Sequence, residues 1–109
     1  MSAQECNLFT PVYGGLGAFL ACTTSTARVA IPNPRSGSIY CVNNLGLVPV
    51  FLAFGDGAIV ATTSYMAFPP GLAYVAIPNA GGSGAPTYVA GITASSTADV
   101  QISIGDMVV

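Results

Sequence analysis

The chain carries almost no charge. Among its 109 residues there are two Arg, four acidic residues, and neither Lys nor His. Charged residues make up 6% of the sequence, whereas about 25% is usual for globular domains. Small domains normally use many surface charges to remain dispersed. The scarcity therefore favours a chain that packs against copies of itself or against other proteins.

The missing residues also exclude most catalytic classes. Without His there is no imidazole base to activate a Ser or Cys nucleophile, and without Lys there is no Schiff-base chemistry. A pair of carboxylates can hydrolyse glycosides, and the chain has four: Glu5, Asp56, Asp99 and Asp106. Asp56 lies in a Gly-Asp-Gly turn, and Asp99 and Asp106 flank a predicted strand. We expect no enzyme and no cofactor.

Nucleic acid, membranes and metals are equally poor matches. Phosphate binding needs clustered cations, and two Arg do not form a cluster. The same shortage removes a polybasic route to anionic membranes, and no apolar run approaches the roughly 20 residues of a membrane span. Three cysteines, Cys6, Cys22 and Cys41, are too few for a zinc site and odd in number for a disulfide scaffold. They are predicted to be reduced thiols in a reducing cytosol.

Short apolar runs alternate with turn residues along the whole chain. The run at 98–104 is the clearest: Val100, Ile102 and Ile104 fall on one side of an extended chain and polar residues on the other. No window shows a helical period. Further strands are predicted at 18–22, 27–31, 39–43, 48–54, 58–61, 65–68, 73–77 and 87–93. This spacing predicts an all-β fold, a single antiparallel β-sandwich of jelly-roll or immunoglobulin-like type.

Two local expectations accompany that fold. Gly55, Asp56 and Gly57 tolerate positive φ and predict a tight hairpin. Residues 1–16 show no period and predict an irregular N-terminal arm before a sandwich domain at 17–109.

Three aromatic residues are candidates for contact with a neighbouring subunit. They are Phe9, Tyr13 and Phe19, and they qualify if nothing in their own domain covers them. The alternative is that they pack on their own sheet.

Two stretches carry a family resemblance. VNNLGLVPVFLAFGDGAIVATTSYMAFPPG at 42–71 and YVAGITASSTADVQISIGD at 88–106 resemble small virion proteins of tailed bacteriophages. The shared features are a Val-Asn pair, the string Val-Phe-x-x-x-Gly, a Pro-Gly turn and a closing hairpin that ends in Gly and an acid. The resemblance covers roughly the last two-thirds of the chain, and its motifs are turn and core residues.

The resemblance implies a capsid decoration or cement protein that stabilises a bacteriophage capsid by bridging neighbouring capsid subunits. The implied partners are the major capsid protein and copies of the chain itself, with a trimer the favoured homo-oligomer. The implied location is the capsid surface of the virion, after synthesis in the host bacterial cytoplasm. The alternative is a tail or fibre-associated binding module that recognises a host surface glycan or another virion protein. The five Tyr of the chain are scattered along the sequence and the chain has no Trp, whereas glycan-binding sites concentrate aromatic residues.

Overall fold

The computed structural model describes residues 8–11, 17–31, 39–79, 82 and 84–108. Within them the chain forms strands joined by turns and loops, and no helix. The strands are β1 (Leu8–Pro11), β2 (Gly17–Cys22), β3 (Ala27–Ala30), β4 (Ile39–Asn44), β5 (Val50–Gly55), β6 (Ala67–Phe68), β7 (Gly71–Ala76), β8 (Tyr88–Thr93) and β9 (Ala98–Val108). The all-β prediction is confirmed.

The strands form two antiparallel sheets. Sheet A runs in the order β1-β9-β4-β7, with β2 also paired to β9, and sheet B runs β3-β8-β5-β6. β1 and β2 lie end to end along one edge of β9, because β2 pairs with residues 98–103 and β1 with residues 105–108. Sheet A therefore has β1 and β2 along one edge and β7 along the other.

The strand order decides between the two predicted sandwich types. β2 pairs with β9, β3 with β8, β4 with β7 and β5 with β6, so four antiparallel pairs are nested inside one another. Pairing of β4 with β9 and of β5 with β8 then completes the two sheets. This is the arrangement of a jelly roll rather than of an immunoglobulin-like sandwich.

The core lies between the two sheets. Alternate residues of each strand point inwards, and Val100, Ile102 and Ile104 of β9 are fully buried, as their spacing predicts. Tyr40 of β4 stacks on Phe54 of β5, with ring centroids 4.6 Å apart and planes 10° apart. This aromatic pair joins sheet A to sheet B near the end of β5.

The predicted tight hairpin at Gly55 is wrong. Gly55 is the last residue of β5, and Asp56 instead makes a turn of its own. Its Oδ1 accepts a hydrogen bond from the Ala58 N–H at 2.9 Å and its carbonyl oxygen accepts one from the Ile59 N–H at 3.1 Å. Neither Gly55 nor Gly57 has a positive φ; among the described glycines, Gly71 does, with φ 111°. The Asp side chain, rather than glycine, supplies this turn.

Several strand ends differ from the sequence expectation by one or two residues, and three differences are larger. Residues 58–61 are not a strand. β9 does not end near 104 but continues to Val108, and Leu8–Pro11 forms a strand inside the segment expected to be irregular. The last two differences share one cause, because β1 pairs with the extension of β9. The division of the chain at 16/17 stays a prediction.

Candidate interaction face

The outer face of sheet B is covered by the chain itself. The cover segment, residues 56–66, runs across this face between β5 and β6. Its Ile59 and Ala61 pack against small and β-branched side chains of β5 and β8, which are Ala53, Ala90 and Ile92. The Ala61 N–H donates to Thr26 Oγ1 at 2.9 Å, and an Arg28 guanidinium N–H donates to the Ile59 carbonyl oxygen at 3.5 Å. The apolar run at 58–61, which predicted a strand, therefore packs onto a sheet and is not part of one.

The outer face of sheet A, here called the open face, is different. Strand register places its side chains in rows that cross β2, β9, β4 and β7 in turn. One row consists of Phe19, Gln101, Asn43 and Leu72, and the next of Gly17, Ser103, Cys41 and Tyr74. Phe19 is 54% exposed, Leu72 64% and Tyr74 47%. Large apolar side chains are therefore exposed to solvent on the sheet whose opposite face contributes Val42, Val100 and Ile102 to the core.

The open face is also nearly uncharged. Among the described outward positions of β2, β4, β7 and β9, Asp99 is the one charged residue, and it lies opposite Ala21 at the end of β2. The Cys41 thiol lies in the second row, and burial raises its pKa above the ordinary value, so the thiol stays protonated at neutral pH. Charge depletion of this kind is typical of the centre of a protein–protein interface.

A shallow cavity of about 330 Å³ adjoins Phe19. Its walls are Gly17, Ala18, Phe19, Gln101, Ile102 and Ser103. A Cβ at Gly17 would lie 3.0 Å from the Ile102 carbonyl oxygen, tighter than ordinary van der Waals contact. Glycine therefore permits the close approach of β2 to β9 and leaves this part of the face recessed. The recess thus lies directly beside the exposed aromatic ring of Phe19.

The three sequence-predicted interface residues have different outcomes. Phe19 lies on the open face. Phe9 lies in β1 opposite Met107, whereas Phe19 is opposite Gln101, so six residues of β9, or roughly 20 Å of strand, separate them and they do not form one site. Tyr13 lies outside the described residues. The sequence did not single out Leu72 or Tyr74, because residues 72–76 are all apolar and show no alternation that would mark an outer face.

A second cavity, of about 380 Å³, lies at the end of β5. It is lined by Phe54, Gly55, Asp56, Pro78, Gly84, Ala85 and Pro86. Behind Phe54, the stacked Tyr40 is fully buried, and its hydroxyl has no hydrogen-bond partner among the described residues. Burial raises the pKa of Tyr40 to about 12. This cavity combines an aromatic ring, proline rings and one carboxylate.

The part of the chain that the structure describes contains neither a candidate metal site nor a helix that could span a membrane. Its His, Cys, Asp and Glu residues do not gather in any group of three or more that could hold a metal ion. It also contains no helix of the length and hydropathy needed to cross a membrane. Burial, and secondarily the negative charge of Asp99, raise the pKa of Cys22 to about 11, which makes this thiol a core residue rather than a nucleophile.

Comparison with known proteins does not assign the chain to a family. No protein-family model matches it, and no curated protein matches it. A solved structure from Bacillus endospore appendages, which form a novel family of disulfide-linked pili, is similar over 96% of this chain and 95% of that chain. The TM-score is 0.42 and the sequence identity 16%. A likeness at this level assigns neither a family nor a function.

Proposed function

We propose that the chain is a structural virion protein that decorates and stabilises a bacteriophage capsid by bridging neighbouring capsid subunits through its open face. One observation carries this proposal. The chain covers the outer face of sheet B with its own residues 56–66, yet it leaves Phe19, Leu72 and Tyr74 exposed on sheet A with a single nearby charge. Large apolar side chains exposed on one nearly uncharged face of a small domain support an interaction site there.

Stabilisation would come from burying this surface across a junction between two capsid subunits. Transfer of a large apolar side chain from water into a packed interface is worth about 1.5–3 kcal/mol. A few such side chains at each junction oppose separation of the subunits, and many junctions act together around a shell. The partners in this proposal are the major capsid protein and other copies of the chain, and the location is the capsid surface.

The second cavity favours a different function. Phe54, Asp56 and the proline rings at the end of β5 form a concave surface of the kind that receives a small ligand. In this second candidate the chain is a tail or fibre-associated module that binds a host surface glycan through that cavity. Binding to a glycan array, abolished by Asp56→Asn and unaffected by changes on the open face, distinguishes it from the first.

The decoration proposal is tested by co-sedimentation of the purified protein with phage heads that lack it. We expect saturable binding and greater resistance of the heads to heat. Phe19→Lys replaces an exposed aromatic side chain of the open face with a charge and is expected to weaken binding at least tenfold. Ala30→Lys is the matched control, since Ala30 is an exposed strand residue on sheet B. Absence of binding by the wild type, or equal loss with both variants, would refute the proposal.

A further inference from the structure

Three strand edges, two on sheet B and one on sheet A, differ in how well they are protected. On sheet B, β3 carries the exposed Arg28 and contacts the cover segment, and β6 has two residues. On sheet A, β7 pairs with β4 through all six of its residues, and no described strand lies along its other edge. Charges, prolines, covering loops and short length are the usual devices that prevent an edge strand from pairing with another chain. In the part of the chain that the structure describes, none of these devices is found at β7.

Two prolines flank β7 at equal distances from Tyr74 along the sequence. Pro70 and Pro78 bracket the seven residues 71–77, and Tyr74 is the midpoint of that segment. Proline lacks the N–H that a strand ladder requires, so the two prolines limit pairing to the segment between them. An antiparallel partner with the same limits can use every residue only when its own Tyr74 lies opposite this one.

We propose that β7 pairs antiparallel with β7 of a second copy of the chain, about a twofold axis at Tyr74. Sheet A would then continue from one copy into the other. This pairing uses a strand edge, whereas the proposed decoration function uses the outer face of the sheet, so the two are tested separately.

The side chains of β7 fit this register. Leu72 would lie opposite Ala76 of the second copy on the outer face, and Ala73 opposite Val75 of the second copy on the inner face. Each larger side chain thus meets a small one, and the two tyrosines form a cross-strand aromatic pair at the axis. Ala73 and Val75 are only partly buried where they pack against the core, so the second copy would complete their burial.

Other registers are less favourable. A shift by one residue places inward side chains opposite outward ones, and a shift by two residues brings a proline into the paired segment. A second copy also brings no charge to the edge, because residues 71–77 contain none. The strand is therefore complementary to itself in one register.

The consequence for the open face is geometric. A twofold axis perpendicular to the sheet keeps both open faces on the same side, so the dimer would present one continuous face of about twice the area. Two copies of Phe19 would stand at its two ends. A dimer of this form can reach across a subunit junction that a single domain cannot.

The test is the mass of the full chain in solution, with two Lys variants on the same face. Native mass spectrometry or light scattering is expected to give a dimer for the wild type. Leu72→Lys, at the edge, is expected to raise the dimer dissociation constant at least tenfold, and Gln101→Lys, in the central strand β9, is expected to leave it within threefold. Circular dichroism and urea unfolding establish that each variant is folded.

Hydrogen exchange of the wild type gives a second readout that needs no variant. The β7 amide groups that point away from β4 are expected to exchange more slowly as concentration rises through the dimer range, whereas the β3 amides are not. A wild-type monomer at 200 µM (about 2 mg/ml), a trimer, or a dimer insensitive to Leu72→Lys would overturn the proposal. A dimer weakened more than threefold by Gln101→Lys would also overturn it whatever the effect of Leu72→Lys, because both residues lie on the open face, and would indicate pairing through that face.

Discussion

Asn44 is a buried polar residue that ties the two sheets together, and its replacement gives the sharpest test of the packing. It is 3% exposed at the end of β4. Its Nδ2 donates to the Val48 carbonyl oxygen at 2.9 Å and to the Phe68 carbonyl oxygen of β6 at 3.0 Å. Its Oδ1 accepts from the Gly46 N–H at 2.9 Å. Asn44→Asp keeps the shape and the acceptor, but removes both donors and places a charge against two carbonyl oxygens.

The expected loss of stability follows from these three contacts. Two hydrogen bonds contribute about 1 kcal/mol each, and the buried carbonyl left without a donor costs about 1–3 kcal/mol more. We expect Asn44→Asp to lower the free energy of unfolding by about 3–5 kcal/mol. For a domain of this size, that corresponds to a fall in Tm of at least about 12 °C. Urea titration followed by circular dichroism measures it.

The neighbouring residue provides the control, and pH provides a second test. Asn43 lies on the open face and is half-buried, so Asn43→Asp is expected to change stability by less than about 0.5 kcal/mol. Burial raises the pKa of the new carboxyl in Asn44→Asp, so its penalty should grow as pH rises through that pKa and shrink in acid. A loss below 1 kcal/mol, or one equal to that of Asn43→Asp, would refute the reasoning.

Three further perturbations have signed outcomes. Tyr40→Phe removes a buried hydroxyl that has no hydrogen-bond partner among the described residues. Urea unfolding at pH 7 should therefore show the variant to be at least as stable as the wild type. The pKa of Tyr40 is raised to about 12. The stability that this shift contributes to the wild type is therefore complete below the ordinary pKa of about 10 and is lost as pH rises towards 12. The free energy of unfolding of Tyr40→Phe should lack this pH dependence. Gly91→Ala would place a Cβ 2.6 Å from the Cys22 Sγ in the core and should lower the free energy of unfolding by about 1–3 kcal/mol. In the control Gly57→Ala, the nearest contact of the new Cβ is an ordinary 3.4 Å, so the loss should be less than about 0.5 kcal/mol. Burial raises the pKa of both Cys41 and Cys22. Peptide mapping at pH 8 should therefore show slow alkylation of Cys41, and alkylation of Cys22 only after unfolding. Rapid labelling of Cys22 in the folded protein would contradict its placement in the core.

Strand alternation was readable from the sequence because it is a local property. The run at 98–104 predicted which side chains are buried, and Val100, Ile102 and Ile104 are fully buried. The strand predicted at 58–61 is wrong because a short apolar run can lie on a sheet as well as within it. The distinction depends on contacts with Ala53 and Ala90, which are distant in sequence.

The exposed residues of the open face were only partly predictable from the sequence, for a related reason. Phe19 qualified from its sequence context and is exposed on the open face. Leu72 and Tyr74 could not be singled out, because their exposure depends on β7 being an edge strand. Edge position follows from the order of all the strands, which alternation leaves undetermined.

The position of β9 has a consequence for the synthesis of the protein. β9 is the last of the nine strands to leave the ribosome, yet it lies in the middle of sheet A, between β2 and β4. Until residues 98–108 have emerged, those two strands have no neighbour between them, and their apolar faces remain uncovered. At about 5–20 residues per second, the nascent chain carries exposed apolar strands for several seconds, with non-local pairings that close slowly. Yield in a cell should therefore depend on chaperones that shield the unfinished chain, and a stop codon shortly before Ala98 should abolish the whole of sheet A rather than only its last strand.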